Sequence, residues 1–263
     1  MGKTNVYQGE KMPDNTIKTD NTIKTEILVH DLKVPISVID AGAKSLLNRQ
    51  EVYGPLTDKQ IKVLKRIIRN TLTTQRLVND VLELGRSREG VMITSDFPVF
   101  ELVRSVLIEN FDLSNPDFVD NIRKTQSYRE LAQTLEINSV RLSFDKNTWI
   151  TKVHLDYAKV KQILRNLVTN AFKHKSNLVE IAGNIRENKL ILNIKDDGQG
   201  IPLADHQKIF ETYFTTGSSI ENAIESHGLG LAGVMVLLKD MGGKLVLNSD
   251  HGQGAEFIVT IPL

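Results

Sequence analysis

Tyr53-Gly54-Pro55-Leu56-Thr57 decides the architecture of the first third of the chain. Glycine ends one helix, proline disfavours its continuation, and Thr57 can cap the next. Upstream, from about Glu26 to Gln50, Leu28, Leu32, Ile39 and Leu46 keep close to heptad spacing, with Val38 and Leu47 widening the stripe. Downstream, Ile61, Leu64, Ile68, Thr71, Gln75, Val78, Leu82 and Gly85 alternate at three- and four-residue spacing as far as about Arg88. That alternation is an a/d seam. Two long amphipathic helices joined by a tight turn make an αα-hairpin. A lone hairpin buries one stripe on each helix, so pairing two hairpins into a four-helix bundle would close the core. The pattern predicts a homodimer through residues 26–88.

Ser87-Arg88-Glu89-Gly90 reads as a linker, and the texture beyond it, over 91–263, is mixed α/β. A short strand and a helix are expected over 97–110, and two strands around a turn near Lys146-Asn147 over 138–155. A strong helix is expected over 156–174, then strands at 178–182 and 190–195. Residues 203–212 and 228–240 read as helices, and 244–248 and 255–261 as closing strands. Without regular βαβ spacing, these elements predict an α/β sandwich with helices on one sheet face. Residues 1–25 are polar. They contain the tandem Asp14-Asn15-Thr16-Ile17-Lys18-Thr19 and Asp20-Asn21-Thr22-Ile23-Lys24-Thr25, read as a flexible leader or a helix extension.

Composition narrows the function. The 263 residues carry a formal net charge of +1, so no strong field points to nucleic acid or an anionic membrane. The absence of cysteine excludes disulfides, thiolate metal sites and thiol nucleophiles. No apolar run approaches the roughly 20 residues that span a bilayer. Met1-Gly2-Lys3-Thr4 begins no apolar signal region, and Val6 breaks the myristoylation pattern. The expectation is a soluble, cytoplasmic protein, although a piece cut from a longer membrane receptor would read the same way.

Four motifs carry chemistry. His30 is followed at once by Asp31, then by Leu32-Lys33-Val34-Pro35. A lone histidine on a helix is usually structural or solvated. Asp31, however, can accept a hydrogen bond from one ring nitrogen, fix the tautomer and leave the other nitrogen's lone pair free to attack. Pro35 should bend the helix there. Asn166 and Asn170 lie four apart on one helix face, with Lys173 and His174 beyond them. Neutral carbonyl oxygens suit Mg²⁺, and a lysine can reach phosphate. Asparagine pairs on helices are nonetheless common. Asp196-Asp197-Gly198-Gln199-Gly200 follows a strand. A carboxylate there can accept a hydrogen bond from an adenine amino group, and the glycines let backbone approach a flat base. Alone it would read as an ordinary Asp/Gly turn. Gly228-Leu229-Gly230-Leu231-Ala232-Gly233 is a poor dinucleotide fingerprint, but a glycine-rich loop opening a helix still favours phosphate.

In order and spacing these blocks resemble the bacterial sensor histidine kinase family over about residues 26–263. His30 to Pro35 looks like its H-box and Asn166 to Lys173 its N-box. Asp196 to Gly200, followed by Ile201-Pro202, looks like the G1 box. Ile209-Phe210-Glu211-Thr212-Tyr213-Phe214-Thr215-Thr216 is similar to the F-box, and Gly228 to Leu231 to the G2 box. Gly242-Gly243-Lys244 and Gly252-Gln253-Gly254-Ala255-Glu256-Phe257 are similar to the last strands.

The resemblance implies a dimerisation and phosphotransfer hairpin followed by a Bergerat-type ATP-binding domain. It implies Mg²⁺-ATP as donor, a phosphohistidine intermediate, and transfer to an aspartate on a response regulator receiver domain. His30 would be the acceptor and Asp31 the assisting acid. Asn166, Asn170, Lys173 and His174 would serve metal and phosphates. Asp196 would read adenine, with Gly198, Gly200, Ile201, Phe210, Gly228, Leu229, Gly230 and Leu231 shaping the site. Residues from about Leu203 to His227 would form a lid.

Three departures stand out. Val34 occupies the position where the family usually has Thr or Asn, which predicts weak or absent phosphatase activity toward the regulator. Residues from about 112 to 135 read as an insertion, more a decoration than a regulatory contact. No sensor domain is evident, so input must come from another protein, the insertion or further sequence. Two rival readings are a non-catalytic ATP-binding scaffold and a serine kinase or ATPase on the same ATP fold.

Overall fold

The computed structural model describes residues 5–7, 20–88, 90–112, 115–210 and 230–263. The chain divides into two compact units. One is Pro13–Glu89; the other joins Met1–Met12 to Gly90–Leu263.

The first unit is the hairpin. Helix α1 spans Asp20–Asn48, a single turn α2 covers Gln50–Tyr53, and α3 spans Asp58–Arg88. Gly54 adopts φ +89, open to glycine without strain. Thr57 caps α3: its hydroxyl accepts from the Gln60 N–H at 3.3 Å while the Gln60 side chain returns to the Thr57 N–H at 2.8 Å. The α3 seam read from the sequence is buried or half-buried throughout. Across the hairpin, the Thr71 hydroxyl donates to Asp40 at 3.4 Å and the Gln75 amide to Ser37 at 3.5 Å.

Helix α1 carries two rows of side chains, and only one packs on α3. Val29 and Ala43 are the buried positions, with Ile36, Asp40 and Leu47 half-buried in the same row. Leu32, Ile39 and Leu46, the stripe read at heptad spacing, are exposed, and Val38 is 66% exposed. Heptad spacing identifies an apolar stripe without saying which neighbour covers it, and this stripe is not the one packed on α3. Pro35 lies inside α1, which continues through it.

The second unit is an α/β sandwich. Its main sheet has the order β1-β7-β8-β6-β5-β3, with β1 Asn5–Tyr7, β3 Val140–Phe144, β5 Val179–Arg186, β6 Lys189–Asp196, β7 Lys244–Ser249 and β8 Ala255–Pro262. Among the described strands of this sheet only β3–β5 is parallel. A separate antiparallel ribbon pairs β2 (Ser95–Pro98) with β4 (Lys152–Leu155). Strict alternation sets the layers. Leu190, Leu192, Ile194, Phe257, Val259 and Ile261 all face inward and are almost completely buried. Each such side chain contributes about 1.5–3 kcal/mol of burial. Helices α4 (Val99–Asp112), α8 (Tyr157–His174) and α9 (Gly230–Asp240) supply the opposing layer, with Leu102, Val106, Ile163, Leu167, Val234 and Leu237 buried.

Four expectations change. Residues 138–155 do not form one hairpin: β3 and β4 belong to different sheets. Between them a short helix α7, Lys146–Ile150, is capped by Asp145, which accepts from the Thr148 N–H at 2.9 Å, and it carries the buried Trp149. In the polar leader Asp20–Thr25 belong to α1, the helix extension that was one of its two readings, while Asn5–Tyr7 pairs with β7 as neither reading expected. Residues 203–210 form two 3₁₀ turns, Leu203–Asp205 and Lys208–Phe210, rather than one helix. The insertion is core, not decoration. Its helices α5 (Pro116–Lys124) and α6 (Tyr128–Glu136) bury Val119, Ile122 and Leu135 completely. The Tyr128 hydroxyl also donates to the Leu142 carbonyl at 2.9 Å and accepts from the Phe144 N–H at 3.2 Å, occupying backbone groups on the free edge of β3.

Candidate functional site

His30 stands on α1 with its side chain 78% exposed. Its Nδ1 lies 3.5 Å from the Asp31 carboxylate, the long limit of a hydrogen bond, with the Asp31 side chain 69% exposed. Pro35 lacks the N–H that would bond the Asp31 carbonyl one turn back. Val34, also on α1, is 53% exposed.

In the second unit, α8 begins at an aspartate cap, Asp156, which accepts from the Lys159 N–H at 3.2 Å. Asn166 and Asn170 follow on its half-buried face, and Lys173 and His174 are exposed in its last turn. The Asn166 side-chain amide donates to the Gly230 carbonyl at 3.3 Å. Gly230 and Leu231 open α9, whose first N–H groups have no helical acceptor. Gly228 and Leu229 lie outside the described residues, as do Glu211–Thr216 of the F-box and the lid expected as far as His227. Phe210 is half-buried in the last 3₁₀ turn before them.

Asp196 ends β6 almost fully buried, at 4% exposure. One of its carboxylate oxygens accepts from the Gly198 N–H at 2.9 Å. Gly198 is pressed on the end of α8, where a Cβ would come within 2.0 Å of the His174 carbonyl oxygen. Gly200 has φ +69, and a Cβ there would meet the Asp250 carbonyl oxygen at 1.9 Å. Both glycines are thus demanded by backbone approach.

Several residues that sequence reasoning assigned no role hold this loop. The Ser249 hydroxyl accepts from the Ile201 N–H at 2.8 Å and donates to the Gly254 carbonyl at 2.7 Å. The Gly252 N–H donates to the Gln199 carbonyl at 2.6 Å. A Cβ on Gly254 would strike the Asp196 carbonyl oxygen at 2.0 Å. The β7–β8 turn is therefore the support on which the Asp196–Gly200 loop rests. The buried His206 ring bonds the Ile201 carbonyl from Nε2 at 3.0 Å. Asp197 accepts from the N–H groups of Leu178, Asn177 and Ser176, each at 2.9 Å, and joins the loop to the chain leaving α8. These bonds, the Leu178 bond foremost, hold its carboxyl below the usual aspartate value. The Gly252-x-Gly254 spacing was the available signal for the turn; Ser249 and Asp197 carried none.

Among the described residues no group of three or more His, Cys, Asp or Glu could hold a metal ion, and no helix is long and apolar enough to cross a membrane. Hard oxygen donors are present instead, in the asparagine side chains of α8.

Residues 25–90 match the family model described as the His Kinase A (phospho-acceptor) domain, and residues 155–263 match that of the histidine kinase-, DNA gyrase B- and HSP90-like ATPases. The chain belongs to the sensor histidine kinase family. It is similar to the circadian input-output histidine kinase CikA of Synechococcus elongatus, 27% identical over 253 residues, covering 92% of this chain and 30% of that protein. The alginate biosynthesis sensor protein KinB of Pseudomonas aeruginosa is 23% identical over 236 residues, covering 89% and 36%. The chain thus spans about a third of the length of these curated relatives. In fold it is similar to full-length ShkA in complex with AMPPNP, with TM-score 0.60, 23% identity and coverage of 92% and 46%. The Acinetobacter baumannii histidine kinase AdeS gives TM-score 0.52 at 19% identity, covering 89% and 97%. Residues 91–154, which include α5 and α6, fall between the two family models.

Proposed function

We propose that this chain is an ATP-dependent protein-histidine kinase that phosphorylates His30 and passes the phosphoryl group to an aspartate of a response regulator receiver domain. The observation that carries the reading is that one chain joins an exposed histidine–carboxylate pair on a hairpin to a buried aspartate beside a glycine loop in an ATPase-type sandwich. Nε2 of His30 attacks the γ-phosphorus, and a P–N bond forms as the bond to the bridging oxygen breaks. ADP leaves with that electron pair. Asp31, facing Nδ1, favours the tautomer with a free Nε2 lone pair and steadies the positive ring.

Asp196 accepts a hydrogen bond from the adenine amino group, with Gly198, Gly200, Ile201 and Phe210 beside the base. Lys173 and His174 reach the phosphates, as do the backbone N–H groups of Gly230 and Leu231 at the start of α9. Asn170 and Asn166 would hold Mg²⁺ by their side-chain oxygens, and the ion supplies charge neutralisation on the phosphates. The exposed α1 stripe of Leu32, Ile39 and Leu46 packs on a second copy in a dimer, within the cytoplasm. A separate sensor protein supplies the input.

The test is incubation with γ-labelled ATP. Asn170→Ala should abolish labelling by weakening metal–nucleotide binding, and His30→Ala should abolish it while ATP still binds. Labelling of His30→Ala equal to that of the native chain would overturn the assignment.

A further inference from the structure

Lys159 is fully buried, and no step of the proposed phosphoryl transfer uses it. A buried ammonium is tolerated only when its charge and its hydrogens are matched. Here all three hydrogens have a partner. One is the carboxylate of Asp240, the last residue of α9. The second is the Val91 carbonyl at 2.5 Å, and the third is the Met92 sulfur at 4.0 Å. Three residues back on α8, Asp156 accepts from the Ile93 N–H at 2.9 Å with the oxygen not engaged in capping.

The segment from Val91 to Ile93 is thereby held through its backbone. Its side chains contribute little, since Val91 is 39% exposed, Met92 45% and Ile93 60%. Polar bonds to the start of α8, rather than apolar burial, fix this stretch. The same helix carries Asn166 and Asn170, and α9 is fastened to it twice, by Asn166 to Gly230 and by Lys159 to Asp240. A single ammonium therefore ties the segment that follows the hairpin to both helices of the candidate nucleotide site.

We propose that Lys159 is a positioning residue that couples nucleotide occupancy to the tether at Val91–Ile93. The inference rests on the ATP-site reading above. Nucleotide seated against α8 and α9 stiffens the frame that grips the tether, and by reciprocity a gripped tether favours nucleotide. Releasing the grip lengthens the free connection to the hairpin by about three residues and lowers the effective concentration of His30 at the γ-phosphate.

The experiment is hydrogen–deuterium exchange of residues 90–95 with and without AMPPNP, alongside direct binding of AMPPNP and the rate of His30 phosphorylation. The variant is Lys159→Met/Asp240→Leu, because removing both charges of a buried pair is tolerated where removing one strands the other. Lys159→Leu/Asp240→Asn, closer in shape at the end of α9 and also free of both charges, serves as a second variant. In the native chain AMPPNP should slow exchange of the segment on the order of threefold to tenfold, a typical coupling factor. In either variant AMPPNP should still bind, weakened by no more than that factor, and slow the segment no longer. The kcat for phosphorylation at saturating ATP should fall by a similar factor. A merely structural lysine would lower thermal stability and leave the nucleotide-dependence of exchange intact. Equal slowing in native chain and variants, or AMPPNP binding to the native chain without any slowing, would overturn the coupling alone. Failure of the native chain to bind AMPPNP would overturn the ATP-site reading together with it.

Discussion

Ser249 shows how much of a site can depend on one hydroxyl outside every motif. It bridges the Ile201 N–H and the Gly254 carbonyl, and Ser249→Ala leaves both without that partner. A net loss of about 1 kcal/mol is expected for such a bond. ATP affinity should weaken on the order of fivefold, with Ser249→Thr retaining it; unchanged titration of a fluorescent nucleotide into Ser249→Ala would contradict the supporting role. Asp197 adds a pH signature. Its folded carboxyl titrates below the usual value because it accepts three backbone N–H bonds, that of Leu178 first. The stabilisation is fully present above the unfolded aspartate value of about 3.9 and drains away as pH falls through the lower folded value. Asp197→Asn should therefore flatten the acid limb of a melting-temperature profile below about pH 4. A limb as steep as that of the native chain would show that the three bonds do not matter. Val34 lacks any hydrogen bond to orient a water beside His30, so regulator dephosphorylation should be slow and Val34→Thr should raise it. Rapid, ADP-independent dephosphorylation by the native chain would refute that.

Elements divide into those whose cause is local and those whose cause is distant. Helices α1, α3 and α8 were legible because long periodic segments and a Gly-Pro turn are local signals. The glycine loop was legible as a motif, but its support was not, since Ser249 and Gly254 reach it only through the pairing of β7, β8 and β6. Likewise β4 left its expected partner for β2, a choice made by tertiary packing around Trp149 and Asp156 rather than by the sequence of 138–155. The α1 stripe is the instructive case. Leu32 and Ile39 were legible as apolar, but not which neighbour covers them: the residues packed on α3 are the row of Val29, Ile36, Asp40 and Ala43. Their exposure now argues for a covering partner. Light scattering should find the native chain dimeric at micromolar concentration and Leu32→Lys/Ile39→Lys monomeric. A native monomer would contradict the pairing of hairpins.

At the scale of the whole molecule, the proposed phosphoacceptor and the candidate nucleotide site occupy separate compact units of one chain. That division makes the account depend on chemistry passing from one unit to the other. The most direct test is to incubate the native chain with Mg²⁺-ATP, digest it at alkaline pH and locate the phosphoryl group by tandem mass spectrometry. The account predicts a single phosphoryl group on the peptide carrying His30, stable in alkali and lost in acid. An acid-stable phosphoryl group on a serine or threonine, or an unmodified His30 in a chain that turns over ATP, would contradict it.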